Sequence, residues 1–166
     1  WKFATDNNYT YSYLSFSGHL AAKNLMQGYW DQVEKAGLDD NPYRAGFAQL
    51  VVVGDTDADA EKLYLKHIQN FYAKSLHVAP HFAAPPGFQT VDSVKAALAK
   101  SAGSAFGSVT SPYDLTWADY TEKSKRVIGG SPDTVVAGLE EAIRSLRVGH
   151  LMVILQIQSM DRELTE

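Results

Sequence analysis

The stretch from Val127 to Ile157 constrains the fold more than any other part of the chain. It holds a glycine turn, a capped amphipathic helix, a short link and an apolar run. Ser131 stands where a helix N-cap belongs. Pro132 follows at the first helical position, where its missing N–H costs nothing. Val135, Val136, Leu139, Ala142, Ile143 and Leu146 recur at helical spacing. Leu151 to Leu155 is apolar without alternation, the pattern of a strand covered on both faces. A helix feeding such a strand is a unit of a parallel α/β fold. No helix follows this strand, and Met160 to Glu166 reads as the start of a helix that stops. Trp1 to Thr5 reads as the end of a helix already under way, so both edges have the look of a fragment.

Upstream, Tyr9 to Ser15 alternates aromatic and small polar residues as a strand does, and His19 to Ala36 follows as an amphipathic helix. Gly37 is suited to the C′ position of that helix. Asp39-Asp40-Asn41-Pro42 is turn chemistry. Phe47 to Val53 predicts a second strand. Beyond it Thr56 or Asp55 caps a helix whose apolar face runs through Ala60, Leu63, Tyr64, His67, Ile68, Phe71 and Tyr72. Pro80, Pro85, Pro86 and Gly87 exclude regular structure from residues 75–89. Short helices are expected over Thr90 to Lys100 and Asp114 to Lys125, with a Gly- and Ser-rich loop at 101–113. The order is thus strand, helix, strand, helix, excursion, helix, strand. It implies right-handed βαβ units in a parallel sheet. Three strong strands with helices on one side leave the other face bare, and that face calls for further strands or a second chain.

Composition narrows the function classes. A length of 166 residues suits one domain with a sizeable core. A net charge of −4 leaves no basic stripe for nucleic acid. No apolar run is long enough to cross a bilayer. The absence of cysteine removes disulfides and thiol chemistry and fits a cytoplasmic protein.

Few residues point to chemistry by themselves. His77 and His81 have metal-like spacing, but no Asp or Glu lies between Glu61 and Asp92, so a structural role is preferred to a metal site. His67 falls on an apolar helix stripe and reads as a core or interface histidine. His150 precedes the last strand, on the end that serves stability. His19 follows the first strand, on the side where such folds place their sites, and reads equally as a boundary residue. Gly129-Gly130-Ser131-Pro132 opens a helix as a phosphate cradle does. However, Pro132 removes a donor and no confident strand precedes the turn, so helix capping is the preferred reading. Tyr13 and Phe16 lie nearest the end of the first strand and suit a flat-ring pocket. Gln156 and Gln158 are polar positions at the end of an apolar strand and suit a pocket wall. No Ser–His–Asp set, Walker loop, dinucleotide fingerprint or paired carboxylate site emerges, and no catalytic residue is assigned.

Four segments in order carry a resemblance. They are Tyr9-Thr-Tyr-Ser-Tyr-Leu-Ser-Phe-Ser-Gly18, the run from Asn41 to Glu61 that ends in a Thr-Asp-x-x-Ala motif, Val127-Ile-Gly-Gly-Ser-Pro-Asp-Thr-Val135, and Leu151 to Gln156. Together they resemble the C-terminal half of bacterial luciferase-like flavin-dependent monooxygenases. The resemblance implies an α/β fold that is part of a (β/α)8 TIM barrel, with parallel strands six to eight and a late insertion over residues 75–126. It makes residues 1–166 the C-terminal portion of one barrel domain. It also implies reduced, non-covalent FMN, or the deazaflavin F420 in one branch, with O2 and a small organic substrate in the monooxygenases. Reduced flavin often comes from a separate flavin reductase. The family's phosphate loop and its acid–base residues precede the first strand seen here. What carries over is a wall: Ser15, Phe16, Ser17 and Gly18 toward the cofactor, and Tyr13, Gln156 and Gln158 toward the substrate. The family often has Gly-Asn where Gln158 and Ser159 stand. The expected assembly is a homo-oligomer or a chain lacking its N-terminal half. The alternatives are an F420-dependent oxidoreductase on the same fold, and a non-catalytic truncated homologue that pairs with a full-length chain.

Overall fold

Every residue of the strand Ala45–Val53 (β2) except Val53 is buried, and the rest of the molecule is organised around it. The computed structural model describes residues 1–14, 16–75, 90–92, 95, 111–157 and 159–165. Strand β1 (Tyr11–Leu14) pairs with the first half of β2, from Tyr11 opposite Ala45 to Leu14 opposite Ala48. Strand β3 (Val127–Gly130) pairs with the second half, from Leu50 opposite Val127 to Val53 opposite Gly130. Strand β4 (His150–Ile154) runs from Gly46 to Leu50. Ala48 has partners in both β1 and β4, and Leu50 has partners in both β3 and β4. A strand has only two edges, so β4 holds one while β1 and β3 share the other end to end. All pairings are parallel, and the sheet is open.

The helices are α1 (Lys2–Asp6), α2 (Gly18–Lys35), α3 (Asp57–Asn70) and α4 (Pro132–Leu146). Side chains alternate across a sheet, and the alternation sorts the core. Ala45 and Phe47 pack with Ala22, Met26, Tyr29, Trp30 and Val33 of α2. Val51 packs with Ile128, Val135 and Ala142 beneath α4. On the opposite face Leu50 and Val52 pack with Ala60, Tyr64 and Ile68 of α3, together with Trp117 and Tyr120. The C-terminal half of the sheet is therefore covered on both faces, and the N-terminal half on one. Leu14, Ala48 and Met152 form a row across the bare face. Leu14 is 48% exposed and Met152 47%.

The caps fall where the sequence places them. Ser131 Oγ accepts from the Thr134 N–H at the start of α4, with Pro132 in the first turn, and Thr56 caps α3 through the Asp59 N–H. Gly37 takes a positive φ of 67°. The Leu38 N–H reaches back to the Val33 carbonyl and closes α2.

Three expectations need correction. Gly129 and Gly130 are the last two residues of a strand, β3, so the described residues form four strands and not three. Gly129 ends up where a Cβ would meet Trp117 and Val52, so the glycine that weakened the strand signal is required by packing. Strand β4 is not covered on both faces: Met152 and Val153, on opposite faces, are 47% and 45% exposed, and neither packs into the core that takes Leu151 and Ile154. The doubly buried strand is β2. The helix expected over Asp114 to Lys125 is present but shorter: Trp117 and Ala118 are α-helical and run into a π-helical turn, Asp119–Lys123, after a separate 3-10 turn, Pro112–Asp114. Of Thr90 to Lys100, Val91, Asp92 and Lys95 are helical, and residues 93–94 and 96–100 lie outside the described residues, as do His77 and His81.

Candidate functional site

Parallel strands bring all their C-terminal ends to one side, the side where open α/β sheets bind ligands. The segment after β1 leads there. Phe16 is half-buried and meets Phe71 edge to face, with ring centres 5.5 Å apart. Its backbone carbonyl accepts a hydrogen bond of 2.6 Å from the Tyr72 hydroxyl. The Tyr72 ring lies 5.3 Å from the Tyr120 ring and carries the Arg126 guanidinium 5.5 Å from its centre. Phe71 and Tyr72 belong to a π-helical turn, Phe71–Ser75, and Tyr120 to another. Such turns re-aim side chains within a helix and recur at functional sites. Burial pushes the Tyr72 phenol far above its ordinary value, although the Arg126 charge opposes the shift.

Gly18 opens α2 with φ of 84°, and a Cβ there would lie 2.1 Å from the Lys125 carbonyl oxygen. Lys125 itself has a positive φ of 51°. Behind this contact sits a buried polar group. His19 is fully buried, and its Nε2 lies 3.6 Å from Glu141 Oε1 on α4. Glu141 Oε2 is 3.2 Å from Lys125 Nζ. Gln49 on β2 is also buried and donates from Nε2 to the carbonyls of Arg126 and Leu50. Burial holds the His19 pKa below the ordinary imidazole value. Lys125 acts in the same direction, while Glu141 and Gln49 oppose. Partial burial disfavours the Glu141 charge, but Lys125 and His19 outweigh it and keep the carboxyl below the usual range.

The glycine turn before α4 is filled from within the chain. Asp57 Oδ1, on the first turn of α3, accepts from the Ser131 N–H at 2.6 Å. The Ser131 N–H, then the Thr134 and Ser131 hydroxyls, lower the Asp57 pKa. A side-chain carboxylate thus stands where a phosphate would bind. A separate cleft of about 560 Å³, lined by Trp30, Asp31, Glu34, Asp40 and Arg147, lies by the C-terminal end of α2, at the other end of the sheet.

Phe16 and Gly18 come together with Phe71, Tyr72 and Lys125. Ser17 precedes α2 and its hydroxyl does not cap the helix. Tyr13 lies elsewhere: it packs on Phe47, with ring centres 6.3 Å apart, in the core beneath α2. Gln156 is exposed beyond β4, next to the buried Ile157. Ser15 and Gln158 lie outside the described residues. Sequence reading missed Gln49, Glu141, Lys125 and Arg126. The one available signal was Gln49, a lone polar side chain in the run from Phe47 to Val53. Among the described residues no group of three or more His, Cys, Asp or Glu side chains is placed to hold a metal ion. None of the described helices is long and apolar enough to cross a membrane.

The fold is similar to that of an FMN-binding monooxygenase. That protein is a type II Baeyer-Villiger monooxygenase, the oxygenating constituent of 3,6-diketocamphane monooxygenase from the CAM plasmid of Pseudomonas putida, solved in complex with FMN. The TM-score is 0.55 at 19% identity, over 93% of this chain. The chain covers 38% of that protein's length. No family model matches the chain, and no curated protein matches it.

Proposed function

We propose that this chain forms part of a flavin-dependent monooxygenase that uses reduced FMN and O2 to oxidise a small organic substrate. In this reading residues 1–166 are the C-terminal portion of a luciferase-like (β/α)8 barrel. Strands β1, β2 and β4 are its sixth, seventh and eighth strands, and residues 75–126 hold its late insertion. The observation that carries the reading is a fold likeness to an FMN-bound oxygenating component that runs over 93% of the chain. A component of that kind takes reduced flavin from a separate flavin reductase.

The described residues fit a flavin in part. Phe16, Phe71 and Tyr72 offer an aromatic ledge at the C-terminal end of the sheet, suited to a flat ring. The cradle before α4 is taken by Asp57 and offers nothing to a phosphate. When bound, the flavin supplies the oxygen chemistry. The work of this chain is to orient the ring, with Phe16 held by the Tyr72 hydroxyl, and to exclude water. Ser15, Ser17 and Gly18 are proposed as backbone wall toward the cofactor, and Gln156 and Gln158 as wall toward the substrate; Tyr13, packed on Phe47 beneath α2, is withdrawn from that wall. No acid or base is assigned.

Fluorescence quenching of FMN and of F420 by the whole chain tests the ring wall. The expected result is quenching of FMN that weakens in Phe16→Ala, with F420 quenched less. Quenching of F420 alone favours the F420-dependent oxidoreductase, and a Phe16→Ala variant indistinguishable from the parent removes Phe16 from the wall.

Leu14 and Met152, exposed on either side of the buried Ala48, favour a second reading, a non-catalytic truncated homologue that pairs with a full-length chain. A homo-oligomer covering the same face is the related possibility, and size determination separates both from a monomer.

A further inference from the structure

A closed circuit of contacts runs behind the aromatic ledge. Phe16 is held through its carbonyl by Tyr72, and Tyr72 carries Arg126 on its ring. The Arg126 carbonyl accepts from Gln49, and the neighbouring Lys125 carbonyl abuts Gly18. Lys125 and His19 face the same carboxylate, Glu141, from two sides. His19 directly follows Gly18, so the circuit returns to the segment it began from. These links join segments far apart in the chain, and within the circuit His19 is the side chain whose ordinary pKa lies nearest neutral pH.

The buried polar group around His19 is also incompletely satisfied. Both ring nitrogens of His19 and Oε1 of Gln49 are buried without a hydrogen-bond partner within 3.5 Å. Glu141 and Gln49 each have an acceptor oxygen to offer, and a neutral imidazole has one N–H, whereas an imidazolium has two. Protonation would therefore satisfy acceptors on two elements at once. It would also bring a second cation to the carboxylate that already holds Lys125, at the positive end of α2. The charged and polar groups acting on the ring are Glu141 from α4, Lys125 from the turn before β3 and Gln49 from β2.

We propose that His19 is a proton-linked positioning residue for the Phe16–Gly18 segment, whose uncharged form leaves Glu141 to Lys125 and keeps Lys125 seated against Gly18. On protonation His19 draws Oε1 of Glu141 toward itself, the carboxylate turns away from Lys125 on Oε2, and the Gly18 contact loosens. The part this segment plays toward a flavin rests on the function proposed above; the coupling itself does not.

The test is an NMR titration of the whole chain without flavin, following the His19 ring nitrogens and the Gly18 amide in the parent, Glu141→Gln and Lys125→Met. The expected result is a His19 midpoint below the ordinary imidazole value that moves down in Glu141→Gln and up in Lys125→Met. The Gly18 amide should shift with the His19 midpoint in the parent and by much less in both variants, which lack the Lys125–Glu141 pair. A Gly18 amide that stays flat in the parent while His19 titrates would overturn the proposal, as would an undiminished Gly18 shift in both variants or a His19 midpoint equal in the two. Either variant suffices against the parent if the other does not fold. Failure of FMN to bind would count against the proposed function and leave this coupling standing.

Discussion

Asp57 Oδ1 and the backbone N–H of Ser131 are joined by a 2.6 Å hydrogen bond that ties the start of α3 to the start of α4. The contact crosses the end of β3, where Gly130 has φ of 150° and a Cβ would lie 2.5 Å from that same oxygen. Only glycine lets the carboxylate in. The junction therefore serves folding, and the anion it holds is part of the protein.

The first prediction concerns this carboxylate. Its pKa is lowered in the folded state, chiefly by the Ser131 N–H. A depressed carboxylate adds stability that is present above its unfolded value, about pH 4, and lost as pH falls through its folded value. Asp57→Ala should lower the urea midpoint at pH 7, and the parent and variant curves should converge as the pH falls below about 4. Equal midpoints at pH 7 would show that the bond contributes nothing.

Gly18→Ala should destabilise the chain by about 1–3 kcal/mol. The φ of 84° and the 2.1 Å approach to the Lys125 carbonyl both oppose a Cβ, and the nearest atoms are backbone. Denaturant unfolding measures it, and Gly37→Ala, with a positive φ but nothing within 4 Å of its Cβ, is the control that should cost less.

Tyr72→Phe should cost about 1 kcal/mol, the worth of its bond to the Phe16 carbonyl, while keeping the ring against Tyr120 and Arg126. The phenol is raised by burial, so its protonated form adds stability that is whole below about pH 10 and declines as pH rises toward the folded value. Absorbance titration of the native chain should show a tyrosine that fails to ionise with the exposed ones and is absent from Tyr72→Phe.

The open sheet face gives the next prediction. Leu14→Gln with Met152→Gln should change stability by no more than about 0.5 kcal/mol, because both side chains are exposed. Binding of an apolar dye to the chain should fall in the same variant. A large loss of stability would mean that another copy or segment covers this row in solution.

Legibility followed the range of the forces. Ser131, Pro132, Thr56 and Gly37 act within one helical turn, and their roles were readable from residue type. The parallel α/β order was readable because helices and strands alternate with distinct periods. Strand β3 was not, since two of its four residues are glycines whose need arises from Trp117, Val52 and Asp57, distant in sequence. The exposure of β4 was misread because an apolar run reports composition, whereas burial depends on which neighbours are present. The meeting of His19 with Glu141 and Gln49 depends on three elements packing together, and no local pattern announces it.

The central claim is that the described residues offer a flavin a ring wall and no phosphate site. Side-by-side titration of the whole chain with FMN and with riboflavin, which lacks the phosphate, tests this most directly. The account predicts weak binding of both, alike in affinity and alike in its loss in Phe16→Ala. Tight, stoichiometric binding of FMN with little affinity for riboflavin would contradict it.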